Sequence, residues 1–112
     1  MSPPLPVTPL DEDSLTIYYL NLLVLSAHNL RSADTFAKSD PYVQCFVNEF
    51  MRQTKIIDQN INPVWNQQFF YFVENKPKEI RFKVMDYDEN MIDVKDDILG
   101  ETWYTFTDEF ES

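Results

Sequence analysis

The chain has 112 residues, a formal charge of −10, one glycine, one cysteine and 15 % aromatic side chains. That length builds one small domain and excludes a second core, while 44 % hydrophobic residues are enough for a packed interior. The excess of 19 Asp and Glu over 9 Lys and Arg excludes a nucleic-acid surface and a purely electrostatic attachment to anionic lipid, and the lone Cys45 excludes an intramolecular disulfide or a multi-cysteine zinc site.

Residues 1–14 carry prolines at 3, 4, 6 and 9 and then Asp11-Glu12-Asp13, the composition of a flexible tail without the basic and apolar layout of a signal peptide. From Leu15 to Leu25, Leu20, Leu22 and Val24 alternate with their neighbours and predict a first strand, too polar and too short to cross a membrane. Tyr42 to Val47 is rich in aromatic and β-branched residues and predicts a second strand, with Thr54–Ile57 as a third and Phe69–Val73 as a fourth. Ile80–Met85 is the fifth: Arg81-Phe82-Lys83-Val84 sets charge on one face and apolar groups on the other, as a half-buried antiparallel strand requires. Ile98–Phe106 is the sixth, and 108–112 is an acidic tail. Residues 15–107 therefore form an all-β domain, and short runs between Asn, Asp and Pro clusters predict an antiparallel Greek-key β-sandwich. With one glycine in the chain, Asn and Asp must supply most of the turns.

The interior is expected to hold Cys45, Trp65, Trp103, Phe69, Tyr71 and Val73, with Phe70 and Phe72 facing the opposite way. His28, the one histidine, follows the first strand and reads as a loop or edge residue. No nucleophile, base and orienting group form a set, and no glycine-rich phosphate loop exists, so the chain is not expected to be an enzyme.

The carboxylates are unevenly spread. Asp34 and Asp40 follow the first strand, and Asp86, Asp88, Glu89, Asp93, Asp96 and Asp97 follow the fifth, with Lys38 and Lys95 as local counter-charges. Were these loops to converge, each pair of carboxylates about 5 Å apart would repel by roughly 3 kcal/mol at an effective dielectric near 20. A fold tolerates that when a cation resolves it or the groups protonate, and an all-oxygen donor set suits calcium. On charge alone, two solvated acidic loops that never meet are an equal alternative. An EF-hand is excluded: Met91 stands where its loop needs glycine, Asp97 replaces the bidentate Glu, and the preceding segment is strand-like.

Several strings taken in order resemble the C2 domain, a calcium- and phospholipid-binding module. They are Leu20-x-Leu22-x-Val24, Asp34-x5-Asp40, Ser39-Asp40-Pro41-Tyr42-Val43, Thr54-Lys55, Asn62-Pro63-Val64-Trp65-Asn66, Phe69-x-Tyr71-x-Val73, Asp86-Tyr87-Asp88 and Asp96-Asp97-Ile98-Leu99-Gly100. The resemblance spans Leu20 to Phe106 and implies eight strands. The absence of a family-type first strand before Leu15, together with residues 60–72, is similar to the permuted C2 domains of cytosolic phospholipases. One or two of the usual eight strands are then expected to be lacking, leaving an edge open to self-pairing or to a partner.

The resemblance further implies five calcium-ligating carboxylates, Asp34, Asp40, Asp86, Asp88 and Asp97, with backbone oxygens from Thr35 and Tyr87. The stretch from Asn90 to Lys95 lengthens the third loop and makes Asp96 and Asp93 alternates for the fifth position. Two or three calcium ions would bring membrane contact under calcium control. Phe36, Met91, Ile92 and Val94 would enter the bilayer interface, each contributing roughly 1.5–3 kcal/mol, with Lys38 and Lys95 beside the headgroups. Arg52 and Lys55 are the weak candidates for the family's basic lipid face. The expected function is a calcium-dependent phospholipid-binding targeting module, cytoplasmic and peripheral to membranes when calcium is bound. The alternative is a calcium-independent protein-interaction domain.

Overall fold

The computed structural model describes residues 16–31, 38–88 and 95–107, and these form six strands without a helix. In chain order they are β1 (Tyr18–Ser26), β2 (Pro41–Val47), β3 (Phe50–Gln53), β4 (Val64–Val73), β5 (Glu79–Asp86) and β6 (Asp97–Thr105). All pairings are antiparallel. β1 pairs with β4 in one sheet, and the other runs β3-β2-β5-β6. The fold is the expected antiparallel sandwich.

Alternation decides which side chains fill it. From β1 and β4, Leu20, Trp65, Tyr71 and Val73 are buried, and they meet Val43, Cys45, Val47 and Ile80 of the larger sheet. Phe70 and Phe72 lie on the outer face, where Tyr19 covers them with ring centroids 6.0 and 5.0 Å away. Cys45 is fully buried, and burial pushes its thiol from 9.0 up to about 12. Tyr71 donates its hydroxyl to the Cys45 carbonyl at 3.0 Å, tying the two sheets together through the core.

Three expectations are corrected. The fourth strand begins at Val64 rather than Phe69, because residues 64–68 go on pairing with the end of β1 past the bulge at Asn66. The third strand is Phe50–Gln53 rather than Thr54–Ile57, because a two-residue turn at Asn48-Glu49 reverses the chain immediately after Val47. Asn48 holds the left-handed conformation there (φ 52°), which an Asn tolerates better than most residues. Thr54 is buried just past the strand, where its Oγ accepts from the Val43 amide and its own amide donates to the Val43 carbonyl. Trp103 is 58 % exposed instead of buried. Its register partner is Arg81, on the outer face of β5, so the pleat turns the indole away from the core. Tyr104, opposite Ile80, faces the other way and is still exposed, with Phe106 edge-on at 5.3 Å.

Two irregularities lie toward the end of the sandwich where β2 begins and β5 ends. In β4, Ser26 pairs with Val64 but Val24 with Gln67, and Asn66 takes φ 47° to absorb the extra residue. In β6, Val84 pairs with Gly100 but Met85 with Ile98, leaving Leu99 as a bulge. Bulges of this kind bend a strand and re-aim its neighbours.

Candidate metal centre

Antiparallel pairing brings the start of β2, the end of β5 and the start of β6 to one end of the four-stranded sheet. Register sets Asp86 between Pro41 on one side and Asp97 on the other. Asp40 immediately precedes β2 and is locked there: its amide donates to Asp86 Oδ1 at 2.8 Å, and its carbonyl accepts from the Tyr87 amide at 3.0 Å. The Gln59 amide donates to Asp40 Oδ1 at 2.7 Å, with Gln59 in the left-handed region (φ 44°). From below, Pro41's carbonyl accepts from the Trp65 indole at 3.3 Å and from the Ile57 amide at 3.0 Å. The buried Trp65 thus anchors the backbone that carries Asp40.

The two acidic loops do converge at their bases. Arg31, the last described residue before the first loop, donates from Nη2 to the Ile98 carbonyl at 2.7 Å, next to Asp97. Its own carbonyl accepts from the Ser39 hydroxyl at 2.9 Å, next to Asp40. Arg31 is a third cation at this end, beside the exposed Lys38 and Lys95, and its charge pattern did not single it out. Asp96 is placed differently from the other acids. Its Oδ1 accepts from the Asp88 amide at 3.0 Å, and its Oδ2 accepts from the hydroxyl of Tyr42, which is 5 % exposed. Burial first, and then the Asp96 hydrogen bond and charge, push the Tyr42 phenol above its ordinary range.

Among the described residues, no three acidic, His or Cys side chains form a group that could hold a metal ion. Asp40 and Asp86 each use one carboxylate oxygen as a backbone acceptor, and among the described residues their second oxygens carry no hydrogen bond. The donors are all oxygen and mostly carboxylate, which suits a hard cation such as calcium. Asp34, Thr35, Phe36, Met91, Ile92, Asp93 and Val94 lie outside the described residues. Of the two residues expected on a basic face, Arg52 pairs with Cys45 and sets its guanidinium 5.9 Å from the Tyr71 ring centroid. Lys55 is exposed beyond β3, and its amide donates to Gln67 Oε1 at 3.0 Å. His28 is an exposed loop residue after β1. Sequence reading missed the supporting set of Arg31, Ser39, Tyr42 and Gln59. Ser39 and Tyr42 flank Asp40 within one quoted string, which was the available signal for them.

The fold, antiparallel strands in two sheets, is matched by known proteins. The C2 domain family model matches residues 18–112, and the chain belongs to the C2 domain family. Human cytosolic phospholipase A2 delta is 31 % identical over 106 residues, covering 92 % of this chain and 13 % of that protein, in keeping with the expected likeness to cytosolic phospholipases. An Arabidopsis thaliana protein named calcium-dependent lipid-binding protein is 37 % identical over 71 residues, covering 62 % of this chain and 14 % of that protein. Among solved structures, the calcium-bound pair of C2 domains of extended-synaptotagmin 2 superposes with a TM-score of 0.68 at 29 % identity, covering 78 % of this chain and 34 % of that one. The chain spans a small part of each of these relatives.

Proposed function

We propose that this chain is a calcium-dependent phospholipid-binding module. The observation that carries the reading is the joining of the two acidic loop bases: Asp40 bonds to Asp86 and Tyr87, and Arg31 bonds to both Ser39 and Ile98. Asp40, Asp86, Asp88 and Asp97 would hold calcium together with Asp34, and backbone oxygens of Thr35 and Tyr87 would complete the set. Asp97 takes the fifth position in preference to Asp96, both of whose oxygens already accept hydrogen bonds. The relative named for calcium-dependent lipid binding and the calcium-bound neighbour support the same reading.

The electrostatics favour a switch over a standing attraction. The two loops hold eight acidic residues against Lys38, Lys95 and Arg31, five negative charges in all. Bound calcium supplies charge neutralisation and open coordination positions that lipid phosphate oxygens can fill. Two ions leave the tip near neutral, so calcium removes a barrier to anionic surfaces more than it creates a strongly positive patch. Contact is then completed by Phe36, Met91, Ile92 and Val94 entering the interface, with Lys38 and Lys95 at its rim.

Calorimetric titration with calcium tests the reading. The chain is expected to give saturable heat, and Asp86→Asn and Asp97→Asn each to weaken affinity at least tenfold. The absence of heat from the wild-type chain would retire it in favour of a calcium-independent interaction domain.

A further inference from the structure

We infer that Tyr42 and Asp96 are positioning residues of the calcium site, acting through Asp88, and not ligands themselves. The inference rests on the calcium reading above and adds how Asp88 and Asp96 are tied to each other and to β2. Asp96 stands between two donors from different places. The Tyr42 hydroxyl comes up from β2, two residues beyond Asp40, and the Asp88 amide comes from two residues past β5, eight residues before Asp96. One carboxylate thus joins Asp88 to Asp96 and fastens both to β2, the strand that Asp40 immediately precedes.

Tyr42 is fixed where it stands. It is buried, and its register partner across the sheet is Met85, the residue before Asp86. The hydroxyl therefore has a rigid origin, and its direction selects where Asp96 sits. The neighbours of the two ends of this tie are proposed ligands: Asp88 at one end, and Asp97, directly after Asp96, at the other. Groups that orient metal ligands without touching the ion are commonly worth 10- to 100-fold in affinity. A carboxylate with both oxygens already hydrogen-bonded is suited to that role.

The test uses three variants, Tyr42→Phe, Asp96→Asn and the double variant, titrated with calcium alone by calorimetry. Amide exchange at Asp88 is followed in the calcium-free protein. Tyr42→Phe removes one oxygen and keeps the buried ring, so a thermal midpoint close to wild type is expected. Calcium affinity should fall about tenfold, the double variant should be no weaker than the weaker single variant, and the Asp88 amide should exchange several times faster without calcium. Exchange in the metal-free state is a readout that ligation cannot move. Wild-type affinity in Tyr42→Phe, or a loss above 100-fold confined to Asp96→Asn, would overturn the positioning role while leaving the calcium reading intact. A wild-type chain that takes no calcium overturns both.

Discussion

At the residue scale Cys45 and Tyr71 are buried in the core between the sheets, and Thr54 is buried just past β3 beside β2. Thr54 replaces a rung of the β2–β3 ladder with its hydroxyl, which accepts from the Val43 amide at 2.9 Å. Thr54→Val keeps the shape and strands that amide, so urea unfolding is expected to show a loss of about 1–3 kcal/mol, with a smaller loss for Thr54→Ser. Cys45 sets an alkaline limit. Its thiol is raised from 9.0 to about 12, and Tyr71 is raised from 10.0 to about 12, in both cases chiefly by burial. The unfolded chain therefore releases these protons first. Their contribution to stability is complete below pH 9 and is lost progressively as pH rises toward 12. The urea midpoint is expected to fall between pH 8 and pH 10, and Cys45→Ala to lessen that fall. The native thiol is also expected to resist an aromatic disulfide reagent until the protein unfolds.

Among the elements, strands were legible where alternation met burial on one face, as in β1, β5 and the second half of β4, while the first half of β4 was missed because the bulge at Asn66 and its polar neighbours break the alternation. β3 was misplaced because its hairpin turn is Asn48-Glu49, without the glycine that usually marks a two-residue turn. Trp103 was misread because hydrophobicity does not reveal parity across a bulge: Leu99 shifts the register of β6, and the indole emerges beside Arg81. The outer face of β1 and β4 carries a cross-strand pair of its own, Tyr19 opposite Phe72 with centroids 5.0 Å apart. A double-mutant cycle with Tyr19→Thr and Phe72→Thr is expected to give a coupling of roughly 0.5–1 kcal/mol. Strict additivity would show that the contact contributes nothing to the sheet.

For the molecule as a whole, the site divides into a part that sequence could reveal and a part that it could not. The proposed ligands Asp40, Asp86, Asp88 and Asp97 could be named from the sequence because they stand in the strings that resemble the family's, at the ends of strands and loops. Arg31, Gln59 and the Tyr42–Asp96 tie were hidden because their roles depend on backbone groups brought near by pairing across the sheets. Half of the net negative charge that first argued against membranes belongs, in this account, to the site that makes membrane contact conditional. Calcium at 100 times its dissociation constant should then stabilise the folded chain by about 2.7 kcal/mol, read as a raised thermal midpoint that a chelator reverses. The most direct test of the account is co-sedimentation with phosphatidylcholine vesicles in calcium and in chelator. The chain is expected to sediment with vesicles only in calcium, to keep most of that binding as salt is raised, and to lose it in Ile92→Asp. Equal partitioning in calcium and chelator would contradict the central claim.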